Sequence, residues 1–209
     1  MSEMDRREML AALAASAAAL AIPQEAIAEA AAHAHEIVEA EERAQQAGQQ
    51  PPAYQPKNFT PDEWRLLRRL VDYIIPRDAR SGSATQAGVP QFMDFVLTEY
   101  PGNRTWMKDG LAWTNAECRR RFQKGFLSCT EAQHRELLDA IAYPKRARAQ
   151  DRPGVEFFNR LRNLTSSGFW SSRMGIADLG YVGNRPVAQW VGTPQNVLTW
   201  LERGQPRRD

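Results

Sequence analysis

The sequence predicts an all-α protein: a single compact, irregular bundle of about five to six helices, preceded by an N-terminal signal and a linker. Three observations carry this. Apolar residues recur at three- and four-residue spacing in successive stretches. Two of those stretches open with a Thr-x-x-Glu/Gln capping box, at Thr60–Glu63 and Thr130–Gln133. No stretch shows convincing period-two alternation, the mark of a half-buried strand.

In chain order, residues 24–47 are rich in Ala, Glu and Gln and read as helical, without a strong apolar stripe. "GQQPPAYQPKN" is a Pro/Gln linker, semi-extended and poorly suited to regular structure. The domain then opens at "FTPDEW", with Thr60 as N-cap and Pro61 at the first helical position, where a missing N–H costs nothing. Trp64, Leu67, Val71 and Ile74 share one face, and Pro76 ends the helix. A loop, "SGSATQAG", leads to the amphipathic "VPQFMDFVLTEY", stopped by Pro101–Gly102. Trp106, Leu111, Trp113 and Phe122 mark a long third helix. Thr130 opens a fourth, with Leu137, Leu138 and Ile141 on one side, which runs to Pro144. After the charged loop "KRARAQDRPG", a fifth helix from Val155 carries Phe157, Leu161 and Leu164. "SSRMGIADLGYVGNRPVAQWVG" is too glycine-rich for an ordinary helix, and a short closing helix follows, with Thr193 as cap and Pro194 at its first position.

The N-terminus is a different kind of segment. The apolar run from Leu10 to Ile22 would span roughly 20 Å as a helix, against about 30 Å of hydrocarbon. A permanent transmembrane span is therefore not expected. The run also lacks the polar face of a core helix. A basic start, an apolar middle and small residues beyond it describe a secretory signal. Arg6 and Arg7, followed by Met9 and Leu10, resemble the bacterial twin-arginine signal, which directs already folded proteins to the periplasm. Cleavage after Ala28 or Ala32 is compatible with the small residues there. The organisation read from the sequence is thus a signal over 1–32, a helical and Pro/Gln-rich linker over 33–57, an all-α domain over 58–203 and a basic tail over 204–209.

The chain has 209 residues and a formal charge of +2, which hides a gradient. Residues 1–56 hold three arginines against nine acids, whereas residues 145–209 hold eleven basic against five acidic residues. No nucleic-acid-binding motif accompanies the basic half, so an acidic protein surface or phospholipid headgroups suit it better than nucleic acid. The two cysteines, Cys118 and Cys129, cannot alone hold an iron–sulfur cluster. Along one unbroken helix they would lie roughly 16 Å apart, against the about 4.4–6.8 Å Cα separation of a disulfide. Pairing requires the chain to fold back near Gly125, and the spacing leaves that open.

Groups that could do chemistry are sparse. His134, within "EAQHRELL", is expected at the surface or at a cap rather than as a general base. His33 and His35 are two apart on a helix and point different ways, which disfavours a shared metal. Gly175, Gly180 and Gly183 do not fit a dinucleotide fingerprint. The sequence nominates no catalytic, cofactor or metal residue in this chain.

Three blocks carry a family likeness: "FTPDEWRLLRRLVDYIIPRD", "GSATQAGVPQFMDFVL" and "FFNRLRNLTSSGFWSSRMGIADLGYVGNRPVAQWVGTP". In that order, over roughly residues 59–195, they resemble the gluconate 2-dehydrogenase subunit 3 family. The resemblance implies a non-catalytic small subunit of a periplasmic sugar or polyol dehydrogenase. It implies as partner a flavoprotein of the glucose–methanol–choline type that carries FAD, sometimes joined by a c-type cytochrome. It also implies that the small subunit's leader takes both chains through the twin-arginine machinery. Arg162, Trp170, Arg173, Tyr181, Arg185 and Trp190 are of the types enriched at interface hot spots and are the candidate partner-binding residues. The aromatics among them suit a core equally well. The alternative function is a stand-alone periplasmic binding or structural module of the same fold.

Overall fold

The computed structural model describes residues 22–51, 53–180 and 192–202, with the backbone alone at 201 and 202. Among the described residues the regular structure is helical throughout, in agreement with the predicted class: α1 (Gln24–Gln46), α2 (Pro61–Ile74), α3 (Val89–Glu99), α4 (Arg104–Phe122), α5 (Glu131–Ala142), α6 (Arg152–Trp170), α7 (Arg173–Asp178) and α8 (Gln195–Glu202). Short 3₁₀ turns stand at Pro101–Asn103, Phe126–Ser128 and Ala149–Asp151.

Both predicted capping boxes form. The Thr60 hydroxyl accepts from the Glu63 N–H while the Glu63 carboxylate accepts from the Thr60 N–H at 2.8 Å. Thr130 and Gln133 do the same at the head of α5. These side chains satisfy backbone donors that a helix start leaves without partners. Glu63 has a further role: its carboxylate receives Lys108 of α4 at 2.6 Å, so the cap of one helix is tied to the flank of another.

The centre of the bundle is α3, buried over most of its surface from Val89 to Leu97. Around it, α6 packs against every one of α1 to α5 and α7, and buries Phe157, Phe158, Leu161, Leu164 and Phe169. α3 carries one buried acid, Asp94, which binds the chain leading into α2. Its carboxylate accepts from the Tyr54 hydroxyl at 2.8 Å and from the Lys57 and Asn58 N–H groups at 2.9 Å each. A buried carboxylate needs such donors, and this one fixes the end of the Pro/Gln linker.

The packed body begins earlier than the boundary at residue 58 expected from the sequence. α1 lies along α3 and buries Ala26, Ala30 and Ala34, and the latter two belong to the main core cluster. Gly88 makes this approach possible. Its φ of +82° is disfavoured for other residues, and a Cβ there would lie 2.9 Å from the Val38 side chain of α1. Cleavage after Ala28 or Ala32 would fall within α1.

Two further boundaries differ. The glycine-rich stretch includes the short helix α7, whose N-cap Ser172 accepts from the Gly175 N–H at 3.1 Å. The charged loop tightens into a 3₁₀ turn, and α6 starts at Arg152 rather than Val155, with Pro153 in its first turn where proline is tolerated. Among the described residues no helix is long and apolar enough to cross a membrane.

Candidate functional site

Exposed apolar side chains gather where α6 passes into α7, and a second set, Val197, Leu198 and Trp200, lies on α8. α6 places Phe169 in the core and Trp170 outside it: Phe169 is 1% exposed and Trp170 40%, with their rings edge to face at 5.0 Å. The chain turns at Ser171 and Ser172, and α7 then leaves Ile176 exposed and ends against Leu179, 61% exposed. α1 runs beside this corner. Arg173 reaches across to Glu39 of α1 at 2.6 Å, and His35 meets the same carboxylate at 3.1 Å.

Between the N-terminal half of α1 and α7 lies a groove of about 370 Å³, walled by Ile27, Ala28, Ala31, Ala32, Arg173 and Ile176. Its α1 side is made of alanines one turn apart, so another surface can come close to the helix backbone. Trp170, Ile176 and Leu179 supply apolar area and Arg173 a directional cation, the combination on which protein interfaces concentrate binding energy.

Of the six candidate partner-binding residues, the structure joins Trp170 and Arg173 at this corner. Arg162 is exposed on α6, two turns before Trp170. Tyr181, Arg185 and Trp190 lie outside the described residues, as do Arg6, Arg7, Met9 and Leu10 of the signal expected from the sequence. Sequence reasoning missed Ile176, Leu179 and the alanines of α1. Ala28, Ala31 and Ala32 do fall at helical spacing, but alanine is too weakly hydrophobic for that spacing to stand out.

The other chemically suggestive groups are occupied. His134 is not at the surface, as expected from its neighbours, but 2% exposed. Its ring stacks on Phe126 at 4.3 Å, Nε2 meets the Phe126 carbonyl at 2.7 Å and Nδ1 meets the Tyr73 hydroxyl at 2.8 Å. Both nitrogens are engaged, and the imidazole clamps α5 to the Phe126 turn and to α2. The Tyr73 hydroxyl gives its one hydrogen to Glu131, and burial followed by that carboxylate pushes its phenol up to about 12. His33 packs on Phe95 at 4.8 Å. Among the described residues no three His, Cys, Asp or Glu side chains are placed to share a metal. A second cleft, of about 310 Å³, opens between Trp106, Asp109, Trp113, Glu156 and Arg160 on α4 and α6.

A family model described as gluconate 2-dehydrogenase subunit 3 matches residues 61–189. The chain belongs to the gluconate 2-dehydrogenase subunit 3 family. The match begins on the first residue of α2 and takes in α3 to α7, so the Trp170 corner lies inside the family's region while α1 and α8 lie outside it. This subunit 3 chain is thus of a kind that serves as an accessory part of an oxidoreductase complex. Searches of curated proteins and of solved structures return no significant match.

Proposed function

We propose that this chain is the non-catalytic small subunit of a periplasmic FAD-dependent oxidoreductase acting on a sugar, glycoside or polyol, and that it matures, stabilises and exports the flavoprotein catalytic subunit. The family match over residues 61–189 is the observation that carries the reading. The leader beginning at Arg6–Arg7 and the exposed apolar corner support it.

The partner in this reading is a glucose–methanol–choline-type flavoprotein that holds the FAD, with a c-type cytochrome as a possible third member. The small subunit holds no cofactor. Its contribution is mechanical: Trp170, Ile176 and Leu179 lose water against the partner, at about 25 cal/mol per Å² of apolar surface, while Arg173 and Arg162 set orientation. A route that accepts folded cargo allows one leader to serve two chains, provided they are bound before transit. The small subunit's affinity for its partner is then a condition of the partner's export.

Co-expression with flavoproteins that lack a signal of their own tests this. The subunit alone should purify colourless. The pair should carry flavin absorbance and dye-linked sugar oxidation. Arg6→Lys with Arg7→Lys should hold both chains in the cytoplasm, and Trp170→Ala with Arg173→Glu should weaken co-purification by about 10-fold or more. A flavoprotein that reaches the periplasm regardless of the Arg6/Arg7 pair would refute the escort role.

A further inference from the structure

The fold-back that would let Cys118 and Cys129 meet is present. α4 ends at Phe122, Gln123 takes the left-handed conformation at φ 58°, and Gly125 is extended at φ −66°, ψ 156°. The returning chain is pinned where the Phe126 N–H donates to Asn115 Oδ1 at 2.9 Å. The 3₁₀ turn then closes with the Cys129 N–H on the Phe126 carbonyl at 3.0 Å. Asn115 and Cys118 are one turn apart on the same face of α4, so the register that seats Phe126 at Asn115 brings Cys129 to Cys118.

Both residues pack into one cluster, Cys118 fully buried within it and Cys129 partly buried against it. Cys129 neighbours the Cys118 thiol closely enough to act on its titration. The Cys129 thiol also sits 3.5 Å from the Gly125 carbonyl. Both cysteines are in the free thiol form.

We propose that Cys118 and Cys129 form an intramolecular disulfide when the folded protein meets a disulfide oxidant, stapling the end of α4 to the turn before α5. The more accessible Cys129 starts the exchange: as a thiolate it displaces one sulfur of the oxidant, forming a mixed disulfide and releasing one thiol. Cys118 then gives up its proton and attacks the Cys129 sulfur, which releases the second thiol. Two protein thiols become one S–S bond, and two electrons and two protons pass to the oxidant, which leaves as two thiols. Burial, followed by the neighbouring Cys129, pushes the Cys118 thiol up to about 12, which makes it the resolving rather than the attacking group. The pairing does not depend on the export proposal. If the protein is exported, the bond would separate the oxidised periplasmic form from the reduced cytoplasmic one.

The test is thiol titration of the purified full-length chain before and after native incubation with oxidised glutathione. The two thiols should fall to none, with loss of the mass of two hydrogen atoms and no covalent dimer. The melting temperature should rise by about 5–10 °C and return on reduction. Cys118→Ser should trap glutathione on Cys129. Two thiols that persist, glutathione on both cysteines, or a disulfide-linked dimer would each overturn the proposal, and these outcomes are read on the unsubstituted protein.

Discussion

Arg121→Met is expected to lower the unfolding free energy by about 3–5 kcal/mol, measured by urea denaturation at neutral pH. Arg121 lies on the inner side of α4, with its side chain only 10% exposed, and it bridges two carboxylates. Its Nε meets Glu117 at 2.6 Å and its Nη2 meets Asp151 at 2.7 Å. Asp151 stands in the 3₁₀ turn before α6 and is 1% exposed. Its second oxygen has no partner among the described residues. Methionine keeps the length and much of the volume of the arginine stem, so the loss is that of the charge and its donors rather than of packing. What remains is a buried carboxylate with no cation, and that is the costly half of a broken buried pair.

Arg120→Met provides the contrast. Arg120 binds the same Glu117 at 2.6 Å, but its side chain is 58% exposed, so its removal should cost far less than that of Arg121. Adding Asp151→Asn to Arg121→Met removes the stranded charge and should recover part of the loss. If Arg120 and Arg121 prove equally important, burial is not what sets the cost.

The same network governs stability in acid. Hydrogen bonding from Arg120, with a further contribution from Arg121, holds the Glu117 carboxyl well below its ordinary 4.5, at about 2, against the opposing effect of burial. The folded state therefore binds fewer protons here than the unfolded chain. The stabilisation is present above about pH 4.5 and is lost as pH falls towards about 2. Urea midpoints followed over that range should decline in the native protein. They should decline less steeply in Arg121→Met, which has less of this interaction to lose.

Arg121 and Asp151 also show why the sequence discloses the helices better than the site. The helices follow from local chemistry: Thr60 and Glu63, or Thr130 and Gln133, are three apart, and their bonds are decided within a single turn. Arg121 and Asp151 are thirty residues apart, and no spacing rule pairs them. The Asp94 anchor for Tyr54, Lys57 and Asn58 is equally remote in sequence. α1 was legible as a helix, but its packing into the body was not, because its buried face is alanine, which packs closely against α3 while adding little to any hydrophobic pattern. At the α6–α7 corner, the sequence nominated Trp170 for partner binding but left it equally suited to a core. Only the helix phase sends Phe169 to the core and Trp170 to the surface. The burial of His134 depended on the Phe126 turn folding over it, which its helical neighbours could not reveal.

Gly110→Val is expected to cost about 3 kcal/mol, read by the same denaturation assay. From the sequence, a glycine inside α4 is simply a weak helix former. In the structure it is a point of close approach between α4 and α6: a Cβ on Gly110 would lie 1.8 Å from Cδ2 and 2.2 Å from Cγ of Phe157. Phe157 is 4% exposed and its ring stands 6.1 Å from that of Trp106, so the one direction in which it can yield is the cleft of about 310 Å³ that it lines with Gly110. Valine offers almost no helix-propensity gain over glycine to offset the clash. Alanine does, by about 1 kcal/mol, and Gly110→Ala should be the milder change. Gly102→Ala is the control: nothing lies within 4 Å of the added carbon, and stability should change by about 0.5 kcal/mol at most. The decisive measurement is a double-mutant cycle with Phe157→Leu. If the valine acts through the ring, the double variant should be more stable than the sum of the single losses by about 1–2 kcal/mol. Simple additivity would mean that the α4–α6 contact accommodates the side chain by another route, and the close approach at Gly110 would lose its explanatory role.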